Sequence, residues 1–177
     1  MKVVGLTAGH WFEDSGAVAS CIQENMLNLR VQGKVITTLA EAGVYVVTAT
    51  GQLSNKVQQL NTYNLLAAVE IHFNAVENTT VKGAEVVYMD NNQSGKRLAT
   101  LIYNSLCQLP FIDKNRKVLS MTELGRGNLF FLKSTKANAV IVEPLWLSNP
   151  LDRAKLTHEN MDKIGEAIAQ GILSYIA

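Results

Sequence analysis

The chain of 177 residues carries 16 Lys and Arg against 15 Asp and Glu, a formal net charge of +1. With only 18% charged residues and no basic run it cannot neutralise a row of phosphates, which excludes nucleic acid as an expected partner. The length suits one domain spanning 1–177 that buries about 70% of its unfolded surface without disulfides, so Cys21 and Cys107, which lack C-x-x-C spacing, read as small buried hydrophobes.

"KVVGLTA" (2–8) is the first apolar strand, and it hands on to Gly9 and His10. Its apolar part, Val3 to Ala8, is shorter than the roughly 7 to 15 residues of a signal-peptide core, and no segment approaches the ~20 apolar residues of a membrane span. The expectation is synthesis in the cytoplasm without an export signal, and no membrane insertion. A helix near 21–42 comes next. Its start, "SCIQE", has the form of a capping box, with Ser20 as N-cap and Gln23 reaching back to it. Glu24 is then released from capping and continues the face of Leu27, Asn28, Val31 and Val35 toward the sheet. A carboxylate in the first turn also suits the helix dipole, and both readings stand.

"VYVVTAT" (44–50) is a strand, 53–66 a helix, and "AAVEIHF" (67–73) a buried strand. "GAEVVYM" (83–89) follows after a short connection, as an antiparallel partner for the preceding strand, and leads into a helix near 93–108. The polar, turn-rich segment 112–128 reads as a loop or substrate-facing edge, or as a plain solvated connector. The apolar runs "LFFL" (129–132) and "NAVIVE" (138–143) are read with the strands. A last helix lies within 151–176, with Asn149 as N-cap and Pro150 in its first position. Strands interleaved with helices predict an α/β fold: a single domain whose mostly parallel, mixed and twisted sheet of about six strands is flanked by helices.

Three apolar strands end on a residue able to bind metal or move a proton: His10, His72 and Glu143, the last stopped at once by Pro144. Ligand crevices of open α/β sheets lie outside the carboxyl ends of the strands, so the three can meet. Singly, each reads as hydrogen-bonded structure or the first residue of a loop; together they make a candidate site. His158, in the final helix, has no such company and reads as surface. Two imidazoles and a carboxylate with one open position form a catalytic zinc arrangement, although nickel, cobalt or iron suits the same ligands. Such a site needs one further carboxylate to take and return a proton, and Glu143 is the candidate.

The segments "AGHWFEDSGA" (8–17), "QENMLNL" (23–29), "EIHFNA" (70–75), "GAEVVYM" (83–89) and "AVIVEPLWLSNPLD" (139–152) resemble, in order and over essentially the whole chain, the zinc-dependent N-acetylmuramoyl-L-alanine amidases of bacterial cell walls. The resemblance implies Zn²⁺ held by His10, Glu24 and His72, with Glu143 as the catalytic carboxylate. It also implies peptidoglycan as the substrate, cut at the amide between N-acetylmuramic acid and L-alanine. Trp11 and Phe12 stand where most members carry glycines, which brings bulk beside the metal. Glu70 stands where many carry Ser; it points to the same side as His72 and either supports a ligand from one layer below or pairs with a buried Lys or Arg. Trp146 lines a groove or packs its loop. The helix inserted after "GAEVVYM" in regulated members is missing here. The family reading is therefore a compact phage or prophage endolysin acting on the wall after release at lysis, with a lytic enzyme of a sporulating bacterium as the nearest alternative. A non-catalytic peptidoglycan-binding or adaptor domain is the competing class.

Overall fold

A computed structural model describes residues 1–114, 117–125 and 127–177. The chain runs β1 (Val3–Ala8), the hairpin strands β2 (Val18–Ala19) and β3 (Ile22–Gln23), α1 (Glu24–Glu41), β4 (Tyr45–Thr48), α2 (Leu53–Leu60) and β5 (Ala67–Ile71). It continues through β6 (Glu85–Tyr88), α3 (Gln93–Leu106), β7 (Val118–Ser120), α4 (Met121–Leu124), α5 (Phe130–Ser134), β8 (Ala139–Glu143), α6 (Pro150–Arg153) and α7 (His158–Ile176).

Among the described residues six strands form one mixed sheet in the order β4-β1-β5-β8-β6-β7. β5 and β8 are buried at every position, as expected of strands covered on both faces. Alternation along each strand sorts side chains between two layers. Val4 and Leu6 of β1, Val69 and Ile71 of β5, and Val140 and Val142 of β8 join the long helices α1, α3 and α7 in the larger core. Ala68 and Ile141 face the short helices on the other side, packing with Val57 and Leu60 of α2 and Phe131 of α5. Period-two alternation places Thr7, Glu70 and Glu143 on this second, thinner face as well.

The sheet is mixed, but the antiparallel pair is not the expected one. β8 inserts beside β5 in parallel (Ala68↔Ala139), and it is β8, not β5, that pairs antiparallel with β6 (Glu85↔Glu143). An apolar strand suited to burial on both faces takes the centre, whatever its place in the chain. "LFFL" is not a strand: α5 turns there, burying the adjacent pair Phe131 and Leu132, which a strand would send to opposite faces. The segment 112–128 is not wholly irregular. It holds the edge strand β7, parallel to β6, and α4, whose capping box joins Ser120 and Glu123. Asn115, Arg116 and Arg126 of that segment lie outside the described residues.

The capping box at Ser20 does not form. Ser20 (φ 51°) and Cys21 (φ 63°) instead make the two-residue turn between β2 and β3, and α1 starts at Glu24 behind Gln23, which makes no side-chain cap. Cys21 is thereby exposed, against expectation, while Cys107 is buried. Asn149 caps the short α6 through Leu151 N and Asp152 N ahead of Pro150, not the last helix as expected; α7 starts separately behind its own N-cap, Thr157. Trp146 is buried, and its indole N–H donates to Gly83 O at 2.8 Å, so it packs its loop. His158 is exposed. No described helix is long and apolar enough to cross a membrane.

Candidate metal centre

The centre lies at the carboxyl edge of the sheet. The β1–β5 ladder continues through Gly9 N to Ile71 O at 2.7 Å, which brings the chain after β1 against His72. Gly9 is required there: a Cβ would sit 2.2 Å from the His72 ring. The backbone then turns through His10 in the left-handed region (φ 61°), and a tight turn pairs Trp11 with Asp14. Gly16, also left-handed (φ 63°), leaves room for the His10 ring and the Glu24 carboxylate, each of which a Cβ would crowd below 3 Å.

Glu24 is the hub. Its Oε2 lies 3.1 Å from His10 Nε2 and accepts from Ala17 N at 3.0 Å, while its Oε1 lies 2.9 Å from His72 Nδ1 and accepts from Phe73 N at 3.1 Å. The far nitrogen of each ring meets a different carboxylate: His10 Nδ1 is 2.8 Å from Asp14 Oδ2, and His72 Nε2 is 3.3 Å from Glu70 Oε2. A carboxylate on the far nitrogen sets tautomer and ring orientation, so Nε2 of His10 and Nδ1 of His72 are the atoms turned inward. One ligand atom from each of His10, Glu24 and His72 falls within 4.8 Å of the others, and the rings cross at 78° with centroids 5.0 Å apart. Glu143, buried at the end of β8, lines one cavity of about 250 Å³ with these three residues, Phe73 and Leu129.

A family model described as N-acetylmuramoyl-L-alanine amidase matches residues 4–174. The chain belongs to that family. It is 27% identical to the N-acetylmuramoyl-L-alanine amidase LytC of Bacillus subtilis over 98% of its own length and 35% of LytC, so it spans about a third of that relative. It is 26% identical to the endolysin of Bacillus phage SPP1, over 97% of this chain and 65% of the endolysin. Among solved structures, the amidase AmiC2 of Nostoc punctiforme superposes with a TM-score of 0.88 at 28% identity, over 99% of this chain and 97% of that one.

The electrostatics of the centre follow from its packing. Burial works against the charge on Glu24, but hydrogen bonds from His10 and His72 prevail and hold its carboxyl well below the usual range. His10 is raised chiefly by Glu24, against burial and with help from Asp14. Burial likewise opposes a charged His72, yet hydrogen bonds to Glu24 and Glu70 and the charges of Glu70 and Glu143 lift it to about 10. In the metal-free protein His72 therefore holds a proton at neutral pH, in the place a cation would take.

All four candidates from the sequence, His10, Glu24, His72 and Glu143, meet at this edge. Glu70 touches both His72 and Lys56, whose Nζ is 3.9 Å from Glu70 Oε1, so its two sequence readings coexist. Trp11 does stand beside His10, and with Phe12 and Leu29 it borders an adjoining apolar cavity of about 400 Å³. Sequence reasoning missed Asp14 and Lys56. Asp14 left a faint signal, an acid four residues after a histidine within a turn-forming stretch. The signal of Lys56 is one charged residue in "LSNKVQQL", on the turn that buries Val57.

Proposed function

We propose that residues 1–177 form a zinc-dependent catalytic domain that hydrolyses the amide between N-acetylmuramic acid and L-alanine in peptidoglycan. The observation carrying this reading is the convergence of His10 Nε2, Glu24 and His72 Nδ1, with a carboxylate behind each ring and Glu143 in the same cavity. Two imidazole nitrogens and a carboxylate oxygen suit zinc, and three protein ligands leave a position open, as a catalytic rather than a structural site requires.

Zinc held there supplies Lewis acidity and lowers the pKa of water it binds. Asp14 and Glu70 keep the two rings from turning, and Glu24, bonded by Ala17 N and Phe73 N, cannot swing away. Glu143 faces the reacting groups from the end of β8, where it takes a proton from the attacking water and returns it to the leaving nitrogen of L-alanine. Phe73 and Leu129 supply apolar lining to that cavity.

Digestion of purified sacculi tests the reaction. New L-alanine amino termini should appear without new reducing sugar ends; reducing ends without amino termini would rule it out. We read the domain further as a phage or prophage endolysin that acts on the wall after lysis. The match to the SPP1 endolysin over 97% of the chain supports this, and β6 is followed by α3 after only residues 89–92. The match to LytC supports a second reading as a host cell-wall amidase. Fractionation separates them: protein held in the cytoplasm until lysis fits the first, and protein on the wall of growing cells fits the second.

A further inference from the structure

Lys56 is out of place by composition. It is the one charged residue of α2, it is buried with Val57 and Leu60, and it projects toward the carboxyl edge of the sheet. An ammonium has three N–H donors. Two of them are used, on Ala8 O at 2.5 Å and His10 O at 2.6 Å, and the charge faces Glu70 Oε1 at 3.9 Å as an ion pair. Lys56 is buried, so the charge serves the protein itself.

Its three contacts reach both histidines. His10 is held in the left-handed region, a conformation a residue with a Cβ keeps only when its surroundings over-determine it. Lys56 does so from the backbone, by fixing the His10 carbonyl, while Asp14 and Glu24 fix the ring. On the other arm Glu70 has both oxygens engaged: Oε1 with Lys56 and with Thr7 Oγ1 at 3.4 Å, and Oε2 with His72 Nε2. Thr7 and Glu70 are register partners on β1 and β5, so the sheet itself aligns this chain of contacts. A carboxylate tethered in this way cannot move in and become a fourth ligand.

We propose that Lys56 is a positioning residue of the metal centre, tying the His10 carbonyl and, through Glu70, the His72 ring into one unit while keeping Glu70 off the metal. The inference rests on the metal reading above. The test is metal affinity, measured by competition with a chromophoric chelator in Lys56→Met, together with the visible spectrum of the cobalt-loaded protein. Loss of supporting contacts of this kind typically costs 10- to 100-fold in affinity, and a fall of about that size with a changed cobalt spectrum is expected. The Lys56→Met/Glu70→Gln double variant should lose less affinity than the two single losses combined, because the variants share the Lys56–Glu70 link.

In the metal-free protein, the ring ¹⁵N signals of His10 and His72 should shift in Lys56→Met while those of exposed His158 stay. Wild-type affinity, cobalt spectrum and ring signals in Lys56→Met, even with a lowered melting temperature, would reduce Lys56 to a structural role and overturn the proposal. If Lys56→Met does not fold, Thr7→Val and Lys56→Arg carry the test: weakened metal binding in both is expected, and unchanged binding in both overturns it. Wild-type protein that binds no metal would overturn the metal reading and this inference together.

Discussion

The metal-free centre should make folding stability fall with rising pH, and His72 sets the size of the effect. Its pKa is lifted from 6.5 to about 10 in the fold, so the folded protein binds this proton more tightly than the unfolded chain does. A raised folded-state pKa contributes stability that is fully present below 6.5 and is lost as pH rises through about 10. At about 1.4 kcal/mol per pH unit, the gap amounts to about 5 kcal/mol as an upper bound, a large share of the roughly 5 to 15 kcal/mol typical of whole domains. The perturbation is pH between 6.5 and 10 on metal-stripped protein, and the assay is urea unfolding followed by circular dichroism. His72→Gln serves as reference to remove the lysines and tyrosines that titrate in the same range. The wild-type stability advantage over His72→Gln should shrink steadily across that window. Metal should abolish the trend by taking the proton's place, and calorimetry in buffers of different ionisation enthalpy should show protons leaving as it binds. A wild-type advantage that stays flat or grows from pH 6.5 to 10 would refute the reasoning, because His72 would then carry no extra proton in the fold.

Glu143→Gln should lose about 10² to 10⁴-fold in turnover on muramyl peptides while keeping its zinc, as expected for a lost proton carrier. Glu24→Gln should lose zinc affinity along with activity, and elemental analysis after dialysis distinguishes the two. Asp14→Asn should weaken zinc binding about 10- to 100-fold in chelator competition, since it frees the far nitrogen of His10. Gly9→Ala drives a methyl to 2.2 Å from the His72 ring and should abolish metal binding with little change in far-ultraviolet dichroism, because the ring can move where the buried sheet cannot.

What the sequence disclosed about the site was local. His10, His72 and Glu143 could be found because each ends an apolar run, and strand direction alone carries such ends to one edge. Glu24 was found for a reason the structure replaces. The supposed cap at Ser20 is a hairpin turn, and Glu24 is held by the amides of Ala17 and Phe73, the latter 49 residues away. Asp14 and Lys56 act through contacts that no periodicity encodes; the two carbonyls that Lys56 engages lie 46 and 48 residues from it. Strand order was illegible for the same reason. That β8 rather than β5 lies against β6 depends on which strand best tolerates helices on both faces, a property of the finished packing. "LFFL" shows the limit from the other side, since four apolar residues fit a strand or a helical turn equally well.

The unequal covering of the sheet divides the molecule into a part that folds and a part that reacts. Helices of 18, 14 and 19 residues close one face around the larger core, while helices of 8, 4 and 5 residues close the other, where Lys56, Glu70 and Glu143 lie. Cooperative units with fewer buried apolar contacts open at lower free energy than the whole. In hydrogen exchange, the amides of α2 and α5 should therefore be the first helical ones to trade their protons, by sub-global openings that leave α1, α3 and α7 intact. A bound ion, clasped between β1, α1 and β5, would act as a latch on the thin side, so ligand occupancy would be recorded in the lifetimes of backbone amides well removed from any coordinating atom.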